Sequence, residues 1–205
     1  MIELTLPVGE REIRRLKIGD LVSLSGVAIT ARDAAHKYMV EKLIEGTVTE
    51  EEDVKLLREL KATLKDGAIY HSGPIVKKVE GKWVFVSAGP TTSIRDEIYE
   101  DKVIKHFQVR CIIGKGGMGE RTLAACSEVG AVYLHGIGGA GVLNALSVVE
   151  VINVFKAEEF GLPEAFWKIR LTHFRGIVTM DAHGQSLHKN LSSFIDKNLK
   201  EIRGL

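Results

Sequence analysis

The chain has 205 residues, a length that suits one large domain better than two small ones. Hydrophobic residues make up 45% of it and charged residues 27%, which is ordinary for a globular protein and excludes a disordered or collagen-like chain. The net charge of +1 disfavours a nucleic-acid binder. Because the sequence lacks a signal-peptide pattern and any apolar run of the roughly 20 residues that cross a bilayer, we expect a cytoplasmic protein without a membrane segment.

Short apolar runs alternate with amphipathic segments in the first part of the chain. Residues 2–7 predict a strand, and residues 21–30 predict a second strand or a hairpin, because valine and isoleucine there alternate with small polar residues. Helices are predicted at 32–44 and 50–64. The predicted apolar face of the second helix consists of Val54, Leu57, Leu60 and Leu64.

The same alternation continues towards the C-terminus. Residues 68–90 predict two strands around a turn at Glu80 and Gly81. The closing helix carries an apolar stripe along one side. Since no linker interrupts this mixture, we predict a single α/β domain with a mixed sheet over residues 1–205. Further strands are predicted at 109–114, 131–136, 166–174 and 176–182, and helices at 142–155 and 186–203.

Two glycine-rich loops, at 114–119 and 136–141, each follow a predicted strand and match the pattern G-x-G-x-x-G. Such a loop at a helix start can present backbone N–H groups to a phosphate, which leaves dinucleotide binding open. The alternative is a tight turn with close backbone packing. The first loop also carries Lys115 between glycines, where its ammonium group either meets an anion or lies in solvent.

A third loop combines hydroxyl groups with a cation at a strand-to-helix junction. Thr91 and Thr92 follow a strand, and Arg95 lies one turn into the next predicted helix. Arginine is unfavourable at a helix start unless an anion lies nearby, and the alternative interpretation is a plain threonine or serine N-cap. Arg32 lies at a similar junction. Together with Lys115, these cations suggest a small substrate with two carboxylates or a phosphate.

The histidines and cysteines add one candidate and one exclusion. His71 precedes a Gly-Pro turn and either faces the same pocket or has a structural role. No histidine pattern indicates a metal site in this chain. Cys111 and Cys126 are too few for an iron–sulfur cluster, which needs about three or four thiolates. We expect two buried thiols, and any cluster that the protein uses must be held by another chain.

Six segments with these loops among them occur in a fixed order: TARDAAHK (30–37), IYHSGPI (69–75), SAGPTTSIR (87–95), IIGKGGMG (112–119), GAVYL (130–134) and GIVTMDAHG (176–184). Together they resemble the C-terminal domain of class I, iron–sulfur-dependent fumarate hydratases. They equally resemble the separate beta subunit of two-chain fumarases and L-tartrate dehydratases. Because the chain starts at Met1 without the family's N-terminal domain, the resemblance implies the two-chain form.

The resemblance implies a "swivelling" β/β/α domain that closes over a cysteine-bearing alpha subunit, in a hetero-oligomer that also allows homodimer contacts. The alpha subunit would hold a [4Fe–4S] cluster whose open iron acts as a Lewis acid on the substrate hydroxyl, so this chain alone would bind no cofactor. Thr91 matches a hydroxyl that helps to remove the C3 proton, and three cations match positions that hold the carboxylates of a four-carbon dicarboxylate. The candidate substrate-binding residues are Arg32, Arg95, Lys115, Thr92 and His71.

One loop departs from the family pattern. The family commonly reads G-R-M-D after T-T-x, whereas Ser93 is followed here by Ile94, Arg95, Asp96 and Glu97. This departure from the family pattern leaves open whether the substrate pair is malate and fumarate or tartrate and oxaloacetate. The expected function is the beta subunit of an iron–sulfur hydro-lyase that reversibly dehydrates such a hydroxy-dicarboxylate. The alternatives are a non-catalytic anion- or nucleotide-binding module and a scaffold subunit.

Overall fold

A computed structural model describes the backbone of residues 1–203, with side chains at all of these positions except 193, 196, 197, 201 and 203. The strands are β1 (Ile2–Thr5), β2 (Leu21–Thr30), β3 (Ala68–Tyr70), β4 (Ile75–Val79), β5 (Lys82–Ser87), β6 (Cys111–Gly114), β7 (Val132–Gly136), β8 (Val148–Phe155) and β9 (Phe166–Met180). The helices are α1 (Glu10–Ile13), α2 (Asp33–Tyr38), α3 (Glu51–Leu64), α4 (Glu97–Phe107), α5 (Glu120–Val129), α6 (Gly141–Leu146), α7 (Ala157–Phe160) and α8 (Leu187–Arg203). A π-helical segment, Met39–Ile44, continues α2, and a 3₁₀ segment, Ser93–Asp96, precedes α4.

The main sheet is mixed, which confirms the predicted α/β fold class. Its strand order is β1-β2-β3-β6-β7-β9-β8, in which β1, β2, β3, β6 and β7 run parallel to one another and β9 runs antiparallel to β7 and β8. Strand β9 also pairs with β2, so β2, β3, β6, β7 and β9 close into a ring. Strands β4 and β5 form a separate hairpin.

Hydrophobic side chains cover both faces of the parallel strands. Ile69 of β3 and Ile112 of β6 belong to the core that helices α2 to α5 cover. Their neighbours Tyr70 and Ile113 belong to the second core, which β9 and the β4–β5 hairpin help to enclose. Successive side chains of a strand point to opposite faces, so these short apolar runs are buried on both sides.

Two of the helix predictions need correction. The buried face of α3 differs from the predicted one in its first turns. Leu56, Leu60 and Leu64 are fully buried, whereas Val54 is exposed. The predicted helix at 142–155 is wrong, because α6 ends at Leu146 and the rest of the segment is strand β8. The alternating β-branched residues of Val148–Phe155 suit a strand, and antiparallel pairing with β9 provides its hydrogen bonds.

The strand predictions also differ in two places. Residues 68–90 contain three strands, since β3 precedes the predicted hairpin. Residues 166–182 form one strand instead of a pair. A bulge at His173, whose φ is +50°, lets β9 bend and continue, so that its first part pairs with β8 and its last part with β7.

The closing helix α8 is present, but its apolar stripe does not join a core. Leu191, Phe194, Ile195 and Leu199 are each at least 40% exposed. Within residues 1–203, no helix is both long and apolar enough to cross a membrane.

Candidate functional site

The carboxyl ends of four neighbouring parallel strands meet at one edge of the sheet. Arg32 follows β2, His71 follows β3 and Lys115 follows β6, while the glycine loop 136–141 continues from β7. This edge is where ligands bind in open α/β sheets, because loops from several strands converge there. The parallel register therefore brings together residues that lie far apart in the sequence.

The threonine loop after β5 crosses this edge and is fixed to it by backbone hydrogen bonds. The Thr91 N–H donates to the His71 carbonyl at 2.7 Å, and the Lys115 N–H donates to the Thr91 carbonyl at 3.3 Å. The Ser93 N–H in turn donates to the Lys115 carbonyl at 3.1 Å. The Tyr70 hydroxyl donates to the Ala88 carbonyl at the start of the loop. Thr91 is consequently held between the ends of β3 and β6.

Arg95 connects Thr91 to the other arginine. Its guanidinium group makes a bidentate ion pair with Asp33, with both N–O distances 2.9 Å, and Nη2 also donates to Thr91 Oγ1 at 2.8 Å. Asp33 Oδ2 lies 3.9 Å from Arg32 Nη2. Arg32 Nη1 pairs with Glu164 at 3.1 Å. The structure thus brings Arg32, Thr91 and Arg95 into one charged cluster.

Lys115 lies half-buried beside the second glycine loop. A Cβ atom at Gly138 would lie 3.8 Å from Lys115 Cδ, so the two glycine loops flank this side chain. Among the described side chains, no carboxylate pairs with the Lys115 ammonium group. An ammonium group at a strand end is suited to bind an anionic ligand.

The two threonines have different surroundings. Thr92 is exposed, and although it occupies the N-cap position of the Ser93–Asp96 segment, its side chain makes no capping hydrogen bond. Thr91 is partly buried, and its hydroxyl contacts Arg95. The plain N-cap interpretation of this loop is therefore not supported.

His71 is fully buried beneath the loops, which favours the structural alternative for this residue. Its Nδ1 lies 2.8 Å from Ser93 Oγ, and its Nε2 lies 3.0 Å from Glu100 Oε2. The same carboxylate oxygen lies 2.8 Å from His36 Nε2. The sequence analysis did not identify His36, Glu100 or the nearby buried Asp96 as site residues. They lie in separate segments of the sequence, and no local pattern shows that they meet in the fold.

For His36 and Glu100, the attraction between opposite charges shifts the pKa more than burial does. Burial alone would lower the pKa of His36, but Glu100, with Asp96 and the Arg32 carbonyl, raises it to about 9. Burial would likewise raise the pKa of Glu100, but the two imidazoles lower it to about 2. For Asp96 burial dominates, and the pKa of its carboxyl group is raised.

The chain is similar to a known family along almost its whole length. A sequence profile described as "Fumarase C-terminus" matches residues 1–191. The chain belongs to the fumarase C-terminal family.

Relatives of this family member occur as separate subunits and within a longer chain. A Methanocaldococcus jannaschii protein, named as a proposed L(+)-tartrate dehydratase subunit beta, is 40% identical over 197 residues, covering 96% of this chain and 95% of its own. The Escherichia coli L(+)-tartrate dehydratase subunit beta is 36% identical over 185 residues, covering 90% of this chain and 85% of its own. A Geobacillus stearothermophilus protein, named as a proposed class I fumarate hydratase, is 40% identical over 204 residues, and the chain spans only 36% of its length.

The helix start after the first glycine loop of this fumarase C-terminal chain is already occupied. The Glu97 carboxylate accepts hydrogen bonds from the N–H groups of Gly119, Arg121 and Thr122 and from the Thr122 hydroxyl, at 2.6–3.2 Å. A phosphate would need these same N–H groups. The second loop leads into the six-residue α6. The dinucleotide interpretation therefore finds no support, and Glu97, a departure from the family pattern, has a structural role.

The cysteines of this family member do not fit a cluster. Cys111 in β6 and Cys126 in α5 are fully buried, and burial raises the pKa of Cys111 to about 12 and also raises that of Cys126. Cluster ligands are thiolates, and two protonated thiols in a hydrophobic core cannot form such a set.

Proposed function

We propose that the chain is the beta subunit of a hydro-lyase that reversibly dehydrates a four-carbon hydroxy-dicarboxylate. The observation that carries this proposal is the contact of Arg95 with the Thr91 hydroxyl at the sheet edge where Arg32 and Lys115 also lie. Three cations can bind two carboxylates, and the Thr91 hydroxyl would help to remove a proton between them. Malate, fumarate and tartrate share this arrangement of charges.

The cations have separate tasks in this proposal. Lys115 binds one carboxylate, and Arg32 and Arg95 bind the other. Asp33 already makes the bidentate contact with Arg95 that a substrate carboxylate would make, so the guanidinium group is oriented for this geometry. Asp33 then competes with the substrate for Arg95 and limits its affinity. The exposed Thr92 lies at the entrance to the site.

Thr91 takes part in removal of the C3 proton. A free threonine hydroxyl is a poor base, but Arg95 Nη2 at 2.8 Å favours negative charge on Thr91 Oγ1. The C3 proton is only weakly acidic, because its loss places negative charge on the adjacent carboxylate. The same cations that bind this carboxylate stabilise the charge as it develops.

Thr92 and Arg95 are exposed at the site, and we propose that a cysteine-bearing alpha subunit covers it. That subunit would hold the [4Fe–4S] cluster, since the thiols of this chain do not fit one. Residues 1–205 would act as a single domain that swivels over this cytoplasmic partner in a hetero-oligomer. The names of the relatives favour this assignment over a nucleotide-binding module.

Co-expression with the alpha subunit under anaerobic conditions, followed by assays on malate, fumarate and both tartrate enantiomers, tests the proposal. We expect Lys115→Met and Arg95→Ala to lower kcat/KM, because loss of one partner of a bound carboxylate costs about 2–5 kcal/mol, or roughly 30-fold to several thousandfold.

Exposed cations elsewhere on the surface serve as matched controls for these variants. Lys77→Met in the hairpin and Arg58→Ala on α3 remove the same charges far from the strand ends and should leave turnover unchanged. Activity of Lys115→Met and Arg95→Ala within twofold of the parent, at an unchanged melting temperature, would remove both residues from the site.

A further inference from the structure

The contacts of each imidazole nitrogen determine where the protons of the buried network lie. His36 Nδ1 faces the Arg32 carbonyl oxygen at 3.0 Å, and its Nε2 faces Glu100 Oε2 at 2.8 Å. The carbonyl oxygen can only accept a hydrogen bond, and so can the ionised carboxylate. The Arg32 carbonyl therefore holds a proton on His36 Nδ1. The short ion-pair distance to Glu100, together with the pKa of His36 raised to about 9, favours a second proton on Nε2 and an imidazolium ion.

His71 lies on the other side of Glu100. Its Nε2 lies 3.0 Å from Glu100 Oε2, and its Nδ1 lies 2.8 Å from Ser93 Oγ, which also accepts from the Tyr133 hydroxyl at 2.8 Å. Burial raises the pKa of Asp96. The His36 cation can balance the Glu100 carboxylate, which makes the burial of this pair tolerable.

The network branches from Glu100 towards the two sides of the candidate site. On one side, the His36 ring and its backbone N–H both donate to the Arg32 carbonyl. On the other side, the His71 carbonyl accepts from the Thr91 N–H, and Ser93 links through its own N–H to the Lys115 carbonyl. Glu100 Oε2 thereby links the backbone of Arg32 to the backbones of Thr91 and Lys115.

We propose that His36 and His71 are positioning residues, which through Glu100 hold the Arg32 backbone at a fixed distance from the Thr91–Lys115 backbone. The inference rests on the proposed function only for its kinetic consequence, because the contacts of the two histidines do not depend on that function. Misplacing a catalytic group by about 1 Å can cost roughly a hundredfold in rate, so such a network controls turnover without touching the substrate.

Nitrogen-15 NMR of the imidazole rings in the full chain tests the proton arrangement without any assay. We expect both nitrogens of His36 to be protonated at pH 7.5. The groups that face His36 are Glu100, Asp96 and His71, and Tyr133 and Cys126 face Glu100 from β7 and α5. A neutral His36 at pH 7.5 would overturn the proposal.

Kinetics of the assembled complex test the positioning role. His36→Gln and His71→Gln should each lower kcat about tenfold to a hundredfold with a smaller change in KM. Tyr38→Phe, which removes the hydrogen bond to buried Asp53 in a different network, is the matched control and should leave turnover unchanged. If His36 acts through Arg32, His36→Gln should have little further effect in an Arg32→Ala background, whereas additive effects would contradict the proposal.

A third measurement separates this inference from the proposed function. If the assembled parent complex shows no hydro-lyase activity, the proposed function fails, but the backbone links remain testable. In His36→Gln and His71→Gln, the amide resonances of Thr91 and Lys115 should shift, and they should not shift in Tyr38→Phe. Unchanged amides in the histidine variants would show that the network does not position the site.

Discussion

Thr91 and Thr92 are neighbours in the chain, yet only one of them is tied to the charged cluster. Thr91 Oγ1 accepts a hydrogen bond from Arg95, while the Thr92 side chain is exposed and caps no helix. The hydroxyl beside a guanidinium group can support negative charge more readily than one in water. The pair therefore offers an internal comparison within a single loop.

We expect Thr91→Val to lower kcat about a hundredfold or more while KM changes little, because the hydroxyl acts in the transition state and not in ground-state binding. Thr91→Ser keeps the hydroxyl and should keep most of the activity. Thr92→Val is the control, and it should stay near the parent. Steady-state kinetics and melting temperatures of the three variants measure this; equal, small kinetic effects at both positions would contradict a special role for Thr91.

Sequence reasoning at this scale found the cations but not their partners. Lys115, Arg95 and Arg32 stand out because each lies at a strand-to-loop junction among glycines or hydroxyl residues. Glu164 gives no such signal: it pairs with Arg32 and accepts from the Ala34 N–H, 130 residues away in the chain. Contacts at that separation depend on the completed sheet, which no local pattern encodes.

At the scale of elements, the start of α5 is completed by a side chain from α4. Glu97 accepts the N–H groups of Gly119, Arg121 and Thr122, which a helix start otherwise leaves without partners. A carboxylate also suits the positive end of the helix dipole. This contact joins the helix after the threonine loop to the helix after the lysine loop, and it fixes the two loops relative to each other.

We expect Glu97→Ala to lower the free energy of unfolding by about 1–3 kcal/mol, because it leaves several charge-assisted hydrogen bonds unmade. Glu158→Ala is the matched control: Glu158 is exposed, and within the described residues it has no ion pair, so its loss should cost less than about 0.5 kcal/mol. Urea unfolding measures both. Equal stability of the two variants would show that Glu97 is not the cap of α5.

The mispredicted helix at 142–155 shows why some elements cannot be assigned locally. A mostly apolar segment suits a buried helix and a strand equally well. Residues 142–155 contain both, and pairing with β9 decides that Val148–Phe155 is a strand. By contrast, the strands predicted at 109–114 and 131–136 are present as β6 and β7, and residues 21–30, for which a hairpin was also open, form the single strand β2.

At the scale of the whole molecule, the ring of strands and its two hydrophobic cores provide the stability, while the site lies at the rim. Fully buried side chains from β2, β3, β6, β7 and β9 fill both cores. The candidate residues contribute little to them, since Arg95 and Thr92 are exposed and Lys115 is half-buried. Folding and reactivity therefore depend on largely separate parts of the chain.

We expect the isolated chain to fold cooperatively and to have no hydro-lyase activity. Its cores are extensive, but its two thiols are buried, and burial raises the pKa of both. Circular dichroism melting combined with assays before and after addition of the alpha subunit measures this. Turnover by the lone chain at a rate comparable with that of the assembled complex would contradict the shared site.

Ring closure joins the beginning of the chain to its end. Strand β2 ends at Thr30, whereas its antiparallel partner β9 begins only at Phe166. Translation adds about 5–20 residues per second, so a nascent chain on the ribosome keeps one edge of β2 unpaired for roughly ten seconds. An apolar strand edge of that kind recruits other chains, and this interval is when the protein depends most on chaperones. The pairing of β9 with β2 makes the finished sheet continuous. Because this pairing forms late, the risk that the free edge of β2 pairs with another chain lasts until that step.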